Sequence, residues 1–159
     1  MTTTDYEAIP AVEGDDAAPH LGTVVMKFGG TSVADPEKLK SVARRLVAAR
    51  ESGSRVVAVL SAMGTTTDEL LDLARQVSSR PEPRELDMLI SVGERISCAL
   101  AAMAIHDLQH EAISLTGSQA GIVTDTVHGK AKIAEVRATS IERVAITRAP
   151  DDAISSISS

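Results

Sequence analysis

Aromatic side chains are nearly missing: the 159 residues include one Phe, one Tyr and no Trp. A core must therefore be built from Ala, Val, Leu, Ile and Met, a set that suits buried parallel strands and close-packed helices. Cysteine is limited to Cys98, which excludes an intrachain disulfide framework and fits a reducing cytoplasm. There is no basic run and the formal net charge is -6, so neither nucleic acid nor an anionic membrane surface is an expected partner. No apolar run reaches the roughly 20 residues needed to span a bilayer. The N-terminus also lacks the charged-then-apolar order of a secretory signal. What is present, 43% hydrophobic and 24% charged residues, is ordinary for one soluble globular domain.

Residues 1–22 are acidic and rich in small residues, with two prolines and no periodicity, and they read as a disordered leader. Order is expected from Thr23. The β-branched run TVVMKF (23–28) ends at Gly29-Gly30 and predicts a buried strand entering a tight turn. Asp35-Pro36-Glu37 then opens a helix, with Asp35 as N-cap and Pro36 in the first turn. Its apolar face is Leu39, Val42, Ala43, Leu46 and Val47. RVVAVLS (55–61) predicts a second buried strand, and ELLDLARQV a second helix starting at Thr67 or Asp68. SSRPEPRE (78–85) reads as a polar connector before a long helix over 86–108. EAISL (111–115) and GIVTD (121–125) read as further strands. This alternation predicts an α/β fold, three layers with helices around a mostly parallel sheet. After Val136 the alternation fails, and 138–159 reads as a divergent, Ser-rich tail that leaves the sheet incomplete.

Three constellations carry chemistry. In Lys27-Phe28-Gly29-Gly30-Thr31-Ser32, two glycines let the backbone approach an anion and Lys27 adds a positive charge. The Thr31 and Ser32 hydroxyls and the nearby helix start extend the donor cluster, which suits a polyphosphate. The spacing is not that of the common nucleotide loop, and a plain tight turn beside a solvated lysine fits the same letters. The second, Ser61-Ala62-Met63-Gly64-Thr65-Thr66-Thr67-Asp68-Glu69, also follows a strand, at the end of an α/β sheet where ligands bind. Thr67 or Asp68 serves as a helix cap in the plainer reading. The third is Gly93-Glu94-Arg95 within an apolar helix, where a carboxylate must be paired, hydrogen-bonded or set against a cavity. A Glu94–Arg95 or Glu94–Arg84 surface pair is the alternative. No His or Cys spacing indicates a protein-held metal.

In this order, VVMKFGGTSV, RVVAVLSAMGTTTDELLDLA, RELDMLISVGERIS and LTGSQAGIVTDTVHG resemble the amino-acid kinase superfamily, and specifically aspartate kinase, over roughly residues 23–137. The resemblance implies transfer of the ATP γ-phosphoryl group, with Mg2+ held mainly by the nucleotide, to the β-carboxylate of L-aspartate. The product would enter lysine, threonine and methionine biosynthesis in the cytoplasm. It implies that Lys27 stabilises the phosphoryl group in flight while Phe28, Gly29, Gly30 and Ser61 line the ATP phosphates. Thr65, Thr66, Thr67, Asp68 and Glu69 would line the aspartate pocket, with Thr67 the direct contact and Glu94 on the amino group. The family's later Gly-rich and adenine-gripping segments have no counterpart here. The expectation is therefore a chain weak or inactive alone, in a homo-oligomer or completed by another kinase chain. A non-catalytic module of that kind is the alternative function.

Overall fold

The computed structural model describes residues 21–137 and 147–148, so all but the last two residues of the leader assigned to 1–22 and nearly all of the tail assigned to 138–159 lie outside the described residues. Leu21 and Gly22 are not free leader but bond to the turn before β2, the Leu21 N–H to the Gly53 carbonyl at 3.0 Å and the Arg55 N–H to the Gly22 carbonyl at 2.9 Å. Strands β1 (Thr23–Phe28) and β2 (Arg55–Leu60) pair in parallel, in register from Thr23 opposite Arg55 to Phe28 opposite Leu60. These are the two continuous β-branched runs of the sequence, and each ends in a glycine-containing loop.

Helix α1 (Pro36–Glu51) connects them. Asp35 is extended at its start and accepts the Lys38 backbone N–H at 2.8 Å, while Pro36 occupies the first turn, where no N–H partner is needed. The buried residues of α1 are Leu39, Val42, Ala43, Leu46 and Val47, the face marked by the three- and four-residue spacing. They join Phe28, Val56 and Leu60 of the sheet in one apolar cluster with Ala101 and Ile105 of helix α3 (Pro83–His106). Both helices thus cover the same sheet face. The opposite face is open among the described residues, with Val25 64% and Val59 45% exposed.

Several boundaries differ from the sequence reading. Helix α2 (Thr66–Val77) begins at Thr66 with Thr65 as N-cap, so Thr67 and Asp68 fall in its first turn rather than at its cap. α3 begins inside the stretch read as a connector, because Pro83 is preorganised for a first turn and Glu82 accepts the Arg84 N–H at 3.3 Å. By length and composition α3 could cross a membrane, with a mean hydropathy of 1.6 over its most apolar stretch. Its Gly93, Ser97, Ala101 and Ile105 are nevertheless buried within the protein.

The run read as a strand at 111–115 is not one. Only β3 (His110–Glu111) forms, pairing antiparallel with β6 (Thr147–Arg148). His106 Nε2 instead lies 2.9 Å from the Ala112 carbonyl and 3.2 Å from its N–H, and engages one of the two, donating to the carbonyl or accepting from the N–H according to its tautomer. The run at 121–125 does form a strand, β4 (Ile122–Thr124), but its partner is β5 (Ile133–Val136) in an antiparallel hairpin. The parallel part of the described fold is therefore the β1–β2 pair, and the sheet is incomplete.

Candidate active site

The first two motifs meet at the ends of the parallel strands. Because β1 and β2 point the same way, their exit loops lie side by side, and backbone bonds lace them together. The Ser61 N–H donates to the Phe28 carbonyl at 3.1 Å, and the Gly64 N–H to the Gly30 carbonyl at 3.2 Å. Gly30 is needed for closeness: a Cβ there would stand 2.9 Å from the Ala62 carbonyl oxygen. Gly64 is needed for its backbone, whose φ of +49° favours glycine. After Gly29, residues Gly30–Val33 form a short 3-10 turn in which the Ser32 N–H closes onto the Gly29 carbonyl at 2.9 Å. That donor is thus committed to the turn.

The third motif joins the same cluster through Gly93. Its missing side chain lets α3 approach the 61–64 loop so closely that a Cβ would lie 2.8 Å from the Ala62 Cβ and 3.5 Å from Thr66 Cγ2. Lys27 and Phe28 at the end of β1, the Gly29-Gly30 turn, Ser61 after β2 and Thr65–Glu69 at the start of α2 therefore adjoin at one end of the parallel pair, with Gly93 of α3 packed on Ala62 and Thr66.

Individual side chains differ in how free they are. Lys27 is exposed, and among the described residues no hydrogen bond or ion pair engages it. The Phe28 ring is buried under Arg45, whose guanidinium carbon stands 5.3 Å from the ring centroid, so Phe28 offers the loop its carbonyl and not its ring. The Thr65 hydroxyl donates to Glu69 Oε1 at 2.7 Å, which ties these two to each other. Glu94 is half-buried, and neither surface pair suggested for it forms. Arg95 reaches the Ser91 hydroxyl at 3.4 Å and Arg84 pairs with Glu85.

Glu94 instead lines a cavity of about 700 Å3 beside β2, to which none of Lys27–Gly30, Ser61 or Thr65–Glu69 contributes. Ser91, Arg95 and Cys98 share its α3 wall, β2 supplies an apolar floor, and Thr116, Gly117 and Ser118 stand on the far side. The Thr116 loop is closed on itself by bonds from the Thr116 N–H and hydroxyl to Gln119 Oε1, at 2.9 and 3.1 Å. Burial pushes the Cys98 thiol pKa up, and the negative charge of Glu94 adds to the shift. Thr116–Ser118 carry no role in the sequence reading. Composition alone could not bring them across from β2.

The amino acid kinase family model matches residues 22–149. The aspartokinase of Mycolicibacterium smegmatis is 59% identical over 116 residues, which is 73% of this chain and 28% of that protein. The aspartokinase of Geobacillus stearothermophilus is 50% identical over 123 residues, 77% of this chain and 30% of that protein. The crystal structure of aspartate kinase from Synechocystis superposes with a TM-score of 0.59 at 47% identity, covering 63% of this chain and 17% of that one. The chain thus spans under a third of the length of the curated relatives it matches. With the family model matching most of its length and carrying the laced strand-end loops, the chain belongs to the amino acid kinase family.

Proposed function

We propose that the chain carries the phosphate-facing and aspartate-facing elements of an aspartate kinase, a cytoplasmic enzyme that passes the γ-phosphoryl group of ATP to the β-carboxylate of L-aspartate. The observation that carries this reading is the lacing of the Lys27–Gly30 segment to the Ser61–Gly64 loop, with Gly93 of α3 packed on Ala62 and Thr66. The similarity to aspartokinases supports the choice of acceptor.

In this reading a β-carboxylate oxygen attacks the γ-phosphorus, the bond from that phosphorus to the β–γ bridging oxygen breaks, and ADP leaves. An aspartate side chain is ionised at neutral pH, so the nucleophile needs no general base. The work left to the protein is positioning and charge neutralisation. Lys27 meets the charge on the transferred group, with the backbone of Phe28, Gly29 and Gly30 and the Ser61 hydroxyl along the phosphates. Thr65 to Glu69 flank the amino acid, Thr67 contacts it, and Glu94 takes the ammonium group. Magnesium would arrive with the nucleotide, held by its phosphates, and would neutralise charge there.

Calorimetric titration of the purified chain with Mg-ATP and with L-aspartate tests the assignment. Lys27→Ala is expected to weaken nucleotide binding and leave aspartate binding in place, and Glu94→Gln the reverse. Absence of an aspartate signal in the unaltered chain, or indifference to Glu94→Gln, refutes it. In a coupled assay this 159-residue chain by itself is expected to turn over well below the ~1–100 per second typical of kinases. A second reading, a kinase-like module completed by another chain, draws on the open sheet face bearing Val25 and Val59.

A further inference from the structure

The β4–β5 hairpin is tied back to α3 at Asp87. The Gly129 N–H donates to Asp87 Oδ2 at 2.8 Å, across 42 positions of sequence, and His128 Nδ1 stands 3.4 Å from the same oxygen. Asp87 lies one helical turn before Ser91, and Asp87, Ser91, Glu94 and Cys98 follow at steps of four, three and four along one stripe of α3. The last three line the cavity, as does Ile122, the first residue of β4. The hairpin therefore springs from the cavity wall and is pinned at its tip to the same helical stripe. The tip is otherwise exposed, with Val127 54% accessible, so little apolar packing holds it there.

We propose that Asp87 is a positioning residue, a clasp that holds the β4–β5 hairpin against α3 as a movable wall of the Glu94 cavity and thereby sets access to it. Asp87 acts through the Gly129 N–H and His128, not on a ligand. The carboxylate bond to Gly129 is charge-assisted, the stronger class of hydrogen bond. The His128 contact adds an ion pair only while the imidazole is protonated. The identity of the ligand admitted, L-aspartate, rests on the function proposed above; the clasp itself does not.

Cys98 is the sole cysteine and lines the cavity, so its labelling by a chromogenic disulfide reagent reports cavity access. Trypsin cleavage at Lys130 and Lys132, resolved by mass, reports the hairpin. On the full chain, Asp87→Ala is expected to raise both rates about tenfold or more, the scale of losing one hydrogen bond to a charged acceptor. Cleavage at Lys38 and Lys40 in α1 should not change, which separates a released hairpin from general loosening. His128→Ala keeps the Gly129 bond and is expected to raise both rates about twofold. It carries the test should Asp87→Ala fail to fold. Faster cleavage with unchanged Cys98 labelling overturns the wall, and unchanged cleavage overturns the clasp. In the unaltered chain, L-aspartate should slow Cys98 labelling. If it does not, the aspartate reading falls while the cleavage and labelling arms still decide the clasp.

Discussion

Replacing Gly93 by Ala sets two opposed effects against each other at the point where all three motifs meet. Gly93 sits ten residues into α3, a helix interior, where alanine should gain about 1 kcal/mol from backbone entropy alone. The added methyl, however, would stand 2.8 Å from the Ala62 Cβ, closer than real Cβ contacts. Ala62 is only 5% exposed and has no rotamer to swing aside, so relief requires moving α3 or the 61–64 loop. Overpacking of this kind costs about 1–3 kcal/mol. The clash should win, leaving Gly93→Ala destabilised by about 0–2 kcal/mol in urea unfolding, with the slope unchanged. Removing the opposing methyl with Ala62→Gly should rescue it. That single change costs roughly 1–2 kcal/mol from lost burial and added chain freedom. The double variant should be more stable than the sum of the two by about 1 kcal/mol or more. Gly93→Ala stabilised by the full helix gain, with coupling under about 0.3 kcal/mol, would refute the close approach of α3 to the 61–64 loop.

Other outcomes follow from single contacts. Leu46 is fully buried between the sheet and α3, and Leu46→Ala should cost about 2–5 kcal/mol in the same unfolding experiment. Glu94→Gln removes the smaller of the two causes that raise the Cys98 thiol pKa, so the pH profile of thiol labelling should move to lower pH without reaching that of a free thiol. Asp35 has its carboxyl pKa lowered, first by the Lys38 backbone N–H. Its contribution is therefore present above the unfolded carboxylate value near 3.8 and is lost as pH falls through the lower folded value. In Asp35→Asn, stability measured against pH should lack that acid-side decline, and an unaltered decline would exclude the cap as its source.

Local sequence determined the elements whose signals are local. Two β-branched runs, an Asp-Pro N-cap and five apolar positions at helical spacing defined β1, β2 and α1 to the residue or nearly so, because strand propensity, capping and amphipathicity act within a few residues. Residue types that suggest chemistry stood out locally too, a Lys beside two glycines at a strand end and a Glu inside an apolar helix. Tertiary structure decided what depends on distant partners. Whether 111–115 became a strand turned on His106 capturing the backbone of Ala112, and the partner of 121–125 turned on a hairpin return from Ile133. Whether Glu94 met an arginine or a cavity turned on where α3 could rest against Ala62, which only the absence of a side chain at Gly93 allows. Such contacts join residues from six to about thirty positions apart, and their energies depend on packing distances that no local pattern encodes.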